Sequence, residues 1–286
     1  MPELPEIHAL VGDLNARIRG KTAVRLDVHS ISALKTYDPP ASVLAGQVVR
    51  AVGRYGKFLD LAVGDVHVVV HLARAGWIRW RESIPAATGL PGKGPLAARL
   101  VFNDGSGLDI TEAGTRKRVA VYVVPEPGSV PGIAQLGPDP LGEDFTEQLF
   151  LEILRTAGRS EIKGVLRQQS IIAGIGNAYS DEILHAARMS PFKPAAMDAA
   201  EGRRLFNALQ TTLAEAVARL DGLPATELKD GKKSHLSVHG RAGEPCPVCG
   251  DVIRQVNFAD SSLQYCPTCQ TKGKPLADRR LSRLLK

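Results

Sequence analysis

Apolar residues recur at helical spacing in two separate parts of the chain, with a different rhythm between them. Ile7, Leu10, Val11, Leu14 and Ile18 fall three and four apart and Gly20 follows, which predicts a helix over residues 5–19 with one apolar stripe. Then the period shortens. Residues 23–29, 48–63, 67–73, 76–82, 97–103, 108–112 and 118–124 are rich in Val, Ile and Leu with partial alternation, and Gly-Asp, Asp-Gly or Gly-rich breaks separate several of them. So many short strands predict a β-sandwich or barrel. Residues 83–96 read as a Pro- and Gly-rich loop, and residues 125–143, rich in Pro and Gly without periodicity, read as a domain linker.

From Phe145 the helical period returns over residues 145–157, 161–169, 177–188 and 198–220. Gly158, then Ala173-Gly174-Ile175-Gly176, then the Ser190–Pro194 stretch separate these segments. Residues 221–243 are polar and basic (Lys229, Lys232, Lys233, Arg241) and read as a second linker. The expected organisation is α+β: a helix and β-sandwich over 1–135, a helical domain over 144–232, a cysteine module over 240–271 and a basic tail over 272–286. The tail holds Lys272, Lys274, Arg279, Arg280, Arg283 and Lys286.

Composition narrows the class. At 286 residues the chain has room for more than one core. No apolar run is long enough to cross a bilayer and the N-terminus lacks a secretory pattern, so a soluble, intracellular (cytoplasmic) protein with no membrane partner is expected. A net charge of +6 and a pI near 9.2 point to a polyanionic partner. All four cysteines lie in one short segment, which favours metal over disulfides.

That segment pairs Cys246-Pro-Val-Cys249 with Cys266-Pro-Thr-Cys269. Two such knuckles fit one tetrahedral, structural Zn²⁺ with a β-hairpin between them, and with four protein ligands the ion has no open position for catalysis. A redox dithiol is the competing reading, although one pair would suffice for that.

The N-terminal Met1-Pro2-Glu3-Leu4-Pro5-Glu6 is the second chemical signal. With Met1 removed, Pro2 offers a secondary α-amine, less basic than lysine and partly unprotonated near neutrality. Attack on an aldehyde-like carbon gives an iminium ion, and Glu3 is placed to move protons for it. The plain alternative is a helix start, where Pro and Glu suit the geometry and the dipole.

In Ala173-Gly-Ile-Gly-Asn177-Ala-Tyr-Ser180, two glycines permit close backbone approach and Asn177 is expected to cap the next helix, a loop type that binds phosphate. Lys163 and Arg167 are expected on one face of the preceding helix. A capped interhelical turn is the structural alternative. Lys57, after Gly56, could reach a phosphate or sugar or simply end a strand in solvent. His71 is equally open to a structural reading.

In this order the landmarks resemble the formamidopyrimidine-DNA glycosylase and endonuclease VIII family of bifunctional DNA repair enzymes. The resemblance runs from Pro2-Glu3-Leu4-Pro5-Glu6 through Gly56-Lys57-Phe58-Leu59 and Gly174-Ile-Gly-Asn177 to His239-Gly-Arg-Ala-Gly-Glu-Pro-Cys246 and Cys266-Pro-Thr-Cys269-Gln270. It implies a helix–two-turn–helix domain, a four-cysteine zinc finger, and base excision followed by β- and δ-elimination on DNA by a monomer, nucleoid-associated in a bacterium. Pro2 resembles the nucleophile that attacks C1′ of a flipped-out nucleotide, Glu3 the proton-transfer group, Glu6 its supporting carboxylate and Lys57 the phosphate-contacting lysine. His71, Arg74, Arg116, Arg118, Lys163, Asn177 and Arg254 form the implied DNA-binding set. A non-catalytic DNA-binding member of the same fold is the alternative, but binding alone requires none of Pro2, Glu3 and Lys57.

The sequence also departs from the family pattern. Ser261 stands where a finger-tip arginine is expected. Ala73-Arg74-Ala75 occupies the wedge stretch with Arg74 in the Met position, and Arg118 replaces the wedge Phe beside the matching Arg116. The linker over 226–241 is short. These departures imply weaker duplex interrogation and a preference for lesions in unpaired DNA, unless Arg74 or Arg116 stacks in the gap.

Overall fold

The structure, a computed structural model, describes residues 1–84, 94–259 and 261–277. Most of the 83–96 loop, and Arg279, Arg280, Arg283 and Lys286 of the tail, lie outside the described residues, as do the side chains of Lys229, Lys232 and Lys233. The chain divides into two compact units, Met1–Leu136 with Leu220–Lys229, and Gly137–Arg219 with Asp230–Lys286.

The first unit begins with helix α1 (Leu4–Ile18), whose buried Leu4, Ile7, Leu10, Leu14 and Ile18 form the expected stripe. Each such side chain contributes roughly 1.5–3 kcal/mol on burial. Eight strands follow: β1 (Ala23–Val28), β2 (Val49–Tyr55), β3 (Phe58–Val63), β4 (Val66–His71), β5 (Gly76–Arg81), β6 (Leu96–Phe102), β7 (Gly107–Glu112) and β8 (Ala120–Val124). They form two antiparallel four-stranded sheets, ordered β1-β6-β7-β5 and β2-β3-β4-β8, around one core shared with α1. The expected sandwich is therefore present. The apolar run over 48–63 folds as two strands, because Gly56 at φ +51 turns the chain and pairs Tyr55 with Phe58. Every residue of β7 is buried, and Asp109 within it is held by Arg99 (2.5 Å) and Arg81 (2.8 Å) from the flanking strands.

The two expected linkers are more ordered than their composition suggests. Residues 125–143 contain helix α2 (Pro131–Ala134), and Val130 and Ile133 pack on Val69 and Val124. Helix α7 (Leu228–His235) lies within 221–243. Residues 220–229, expected in the helical domain, belong to the first unit. Leu220, Ala225 and Leu228 enter its core, and Trp77 Nε1 donates to the Ala225 carbonyl at 2.9 Å.

The second unit holds α3 (Glu147–Ala157), α4 (Ile162–Arg167), α5 (Asn177–Ala186) and most of α6 (Ala199–Leu220). Thr146 caps α3 by accepting from Leu149 N, and an apolar core centred on Phe150, Tyr179, Ile183 and Leu209 joins the helices. The cysteine module is a hairpin of β9 (Arg254–Asn257) and β10 (Ser262–Tyr265), followed by α8 (Pro267–Thr271).

Candidate functional site

Chemistry-bearing residues gather at the start of the first unit. Pro2, Glu3 and Glu6 are all buried. Glu3 is the N-cap of α1, Pro5 stands in its first turn, and Glu6 completes a reciprocal capping box. The Glu6 carboxylate accepts the Glu3 backbone N–H at 2.7 Å, while the Glu3 side chain takes the N–H of Glu6. The helix-start reading and the catalytic reading therefore fall on the same atoms. The device that starts the helix also fixes both carboxylates, and Glu3 follows Pro2 directly in the chain.

Lys57 is the second residue of the Gly56-Lys57 hairpin turn, and it is buried rather than solvated. The turn sits at the end of the sheet where Phe58 pairs with His71 in register and their rings lie 4.6 Å apart. Burial first, then the Lys57 charge, pull the His71 imidazole down to about 4, so it is neutral at physiological pH.

Two loops of the same unit carry the arginines singled out by sequence. Leu72–Ala75 is a tight turn closed by Gly76 N–H to the Leu72 carbonyl at 2.8 Å. Ala73 sits at φ +50, and a side chain at position 76 would meet the Leu72 oxygen at 2.1 Å, so only glycine fits there. Residues 113–118 lie against this turn, with Ala113 N–H bonded to the Ala75 carbonyl. The turn and loop thus bring together exposed Arg74, Arg116 and Arg118. Glu112, which sequence reasoning missed, organises the second loop. Its buried carboxylate accepts the backbone N–H groups of Arg118 (2.8 and 2.9 Å) and Val119 (3.2 Å), and its carbonyl accepts Lys117 Nζ. A carboxylate at the very end of a strand was the available signal.

In the second unit the Gly-rich loop is wrapped by Gln169, whose side chain accepts from Gly174 N (3.0 Å) and donates to the Ile175 carbonyl (2.7 Å). The cap of α5 is Gly176, and Asn177 is the first helical residue. Instead of capping, Asn177 Nδ2 donates to the Ser262 carbonyl on β10 at 2.7 Å. Lys163 also departs from expectation. It is buried, whereas Arg167 is exposed, and Nζ reaches Asp181 Oδ1 (2.6 Å), Ser180 Oγ (2.7 Å) and the Asn177 carbonyl (3.2 Å). An ammonium has three protons, so these acceptors make it an internal strut of the loop rather than a phosphate ligand.

Asp181 and Glu182, unremarked in the sequence, form the hub of this unit. Asp181 Oδ2 accepts from His239 Nδ1 (2.7 Å) and Gln264 N (3.2 Å), and because a carboxylate only accepts, that imidazole nitrogen carries the proton. Glu182 accepts the N–H groups of Ser237, Val238 and His239 at 2.6, 3.0 and 2.8 Å. Arg254 is exposed and pairs with Tyr265 at the knuckle end of the hairpin, away from its tip at Ser261.

Cys246, Cys249, Cys266 and Cys269 place their four sulfurs within 4.8 Å of one another. The Cys246–Cys269 and Cys249–Cys266 sulfurs are 3.9 and 3.4 Å apart, against about 3.8 Å for a tetrahedron with Zn–S near 2.3 Å. Without a cation, burial and the neighbouring thiols push Cys266 up to about 11, so four thiolates need a positive charge among them. The donor set fits one structural Zn²⁺.

Known proteins share this architecture. Models of the formamidopyrimidine-DNA glycosylase N-terminal domain, its H2TH domain, and the zinc finger found in FPG and IleRS match residues 1–119, 136–226 and 243–272. A formamidopyrimidine-DNA glycosylase of Symbiobacterium thermophilum is 34% identical over 98% of this chain and 93% of its own length. An uncharacterized formamidopyrimidine-DNA glycosylase-like protein of Mycobacterium tuberculosis is 55% identical over 53% of this chain and 94% of its own. Among solved structures, the MutM (Fpg) protein of Thermus thermophilus superposes with a TM-score of 0.80 at 31% identity, over 96% of this chain and 100% of that one. Lactococcus lactis Fpg in complex with abasic-site DNA gives 0.82 at 26% identity, over 94% and 99%. With these landmarks, this fold and these relatives, the chain belongs to the formamidopyrimidine-DNA glycosylase family of DNA repair enzymes.

Proposed function

We propose that the chain is a bifunctional DNA glycosylase and abasic-site lyase for oxidised bases, with Pro2 as nucleophile once Met1 has been removed. The observation that carries this reading is the buried Glu3–Glu6 capping box directly beside Pro2. The Pro2 nitrogen forms a bond to C1′ of the damaged nucleotide, the base leaves with a proton, and opening of the sugar gives an iminium ion. The iminium acidifies C2′, loss of that proton expels the 3′ phosphate, and a second elimination expels the 5′ phosphate. Glu3 shuttles these protons, and Glu6 holds Glu3 in place. Lys57, with neutral His71 beside it, supplies the positive charge that meets the departing phosphate. The named DNA partners of related structures support the substrate class: abasic-site DNA for Lactococcus lactis Fpg, and carbocyclic 8-oxo-G DNA for a MutM. Borohydride reduction on abasic DNA is the test. A crosslink mapped to Pro2 is expected, and none from protein that keeps Met1, where the Pro2 nitrogen is an amide. A crosslink of equal strength from the Met1-bearing protein would move the nucleophile from Pro2 to another amine, and no crosslink from either protein would leave the chain a DNA-binding scaffold.

A finer reading concerns substrate form. Arg74, Arg116 and Arg118 are exposed and offer no apolar wedge to fill a vacated base site. Unstacking in a duplex, about a few kcal/mol in magnitude, is then poorly offset, and lesions in single-stranded, bubble or fork DNA are favoured. Rates on paired and unpaired versions of one lesion test this directly.

A further inference from the structure

Asn177, Asp181, Glu182 and His185 follow one another along α5 at spacings of four, one and three, which puts them on one face of the helix. Each bonds to the segment that carries the finger. Asn177 reaches Ser262, Asp181 reaches His239 and Gln264, and Glu182 takes the amides of residues 237–239. The fourth contact differs in kind. His185 Nε2 lies 3.3 Å from Cys246 Sγ, and both side chains are buried.

Four sulfurs already fill the tetrahedron, and His185 is not part of the mutually close donor cluster, so it is not a fifth ligand. A zinc-bound thiolate retains excess negative charge, and an N–H pointed at it stabilises that charge and fixes the sulfur's position. Cys266 receives such a bond from within the finger, from the Cys269 N–H at 3.5 Å. The polar neighbour of Cys246 comes from a different element, α5, the helix that follows the Gly-rich loop. His185 is itself only 5% exposed.

We propose that His185 is a positioning residue for the zinc site: its Nε2–H donates to the Cys246 thiolate, holds the first knuckle in its metal-binding geometry and fastens the finger to α5. Retention of zinc by the finger therefore depends on a side chain of the helix–two-turn–helix domain. The proposal requires neither the imine chemistry nor any choice of lesion, so it stands or fails separately from them.

Two measurements on the full chain test it. In protein loaded with ¹¹³Cd in place of zinc, proton NMR should show the His185 Nε2–H coupled to the metal through the Cys246 sulfur. Zinc transfer to the chelator 4-(2-pyridylazo)resorcinol should be about tenfold faster or more in His185→Phe, which keeps the volume and removes the donor. His185→Gln, whose amide donates from a similar reach, should return the rate close to wild type. An unprotonated Nε2, no metal coupling, or a His185→Phe protein that holds zinc as long as wild type would overturn the proposal. So would a Gln variant no better than Phe. If His185→Phe does not fold, the ¹¹³Cd spectrum of the unsubstituted protein decides.

Discussion

The α5 face and the arginine-bearing loops solve opposite problems with similar residues. Along α5, Asp181 and Glu182 are buried and hydrogen-bonded to the finger segment, and the buried Lys163 of α4 bonds Asp181, Ser180 and the Asn177 carbonyl. On the first unit's loops, Arg74, Arg116 and Arg118 are exposed, while the backbone beneath them is pinned by the turn at Gly76 and by Glu112. Buried and saturated charges specify one geometry, whereas the exposed guanidinium groups face solvent. Under the proposed function, the first would serve as the DNA grip and the second as the duplex probe.

Zinc removal is the most severe way to break the rigid side. Cys249→Ser, or chelation, should unfold the hairpin and release Ser262 from Asn177, with DNA binding lost while the first unit's melting transition is retained. Elemental analysis and calorimetry check this, and freshly reduced protein lacking zinc would count against it. Next in size, Asp181→Ala strands the Lys163 ammonium in a buried site. A cost of about 3–5 kcal/mol to the second unit is expected in urea unfolding.

The exposed side is sharpened by smaller effects. His71 is held neutral with its pKa pulled down to about 4, so its contribution is complete above the ordinary histidine range near 6.5. As pH falls from about 6.5 to about 4 the unfolded chain takes up the proton first, and on the order of 3 kcal/mol is lost. His71→Gln should flatten that acid limb. Glu112→Ala removes the acceptor for the Arg118 and Val119 amides and should cost about 1–3 kcal/mol. Hydrogen exchange should speed at those amides and not at β3.

Much of the fold was legible in sequence where a pattern repeats or a spacing is fixed by chemistry. The α1 stripe, the strands and the paired knuckles are of this kind. What stayed hidden depends on the partners that tertiary folding supplies. Lys163 looked like a surface cation because nothing local announces Asp181 eighteen residues on. Asn177 fits the capping preference, but the backbone places Gly176 at the cap and frees the amide for Ser262. The polar stretch over 221–243 looked like a tether because its apolar anchors, Ala225 and Leu228, are too sparse to show a period.

The single-turnover excision rate for one oxidised pyrimidine, measured in a single strand and then paired in a duplex at the same salt, tests most directly whether grip and chemistry persist without a duplex wedge. A faster single-strand rate is expected, by about tenfold for each ~1.4 kcal/mol of unstacking left uncompensated, with a narrower gap in Arg118→Phe, where an aromatic side chain is restored to the loop. A duplex rate equal to or above the single-strand rate in the unsubstituted protein would contradict this and make the three arginines a working wedge.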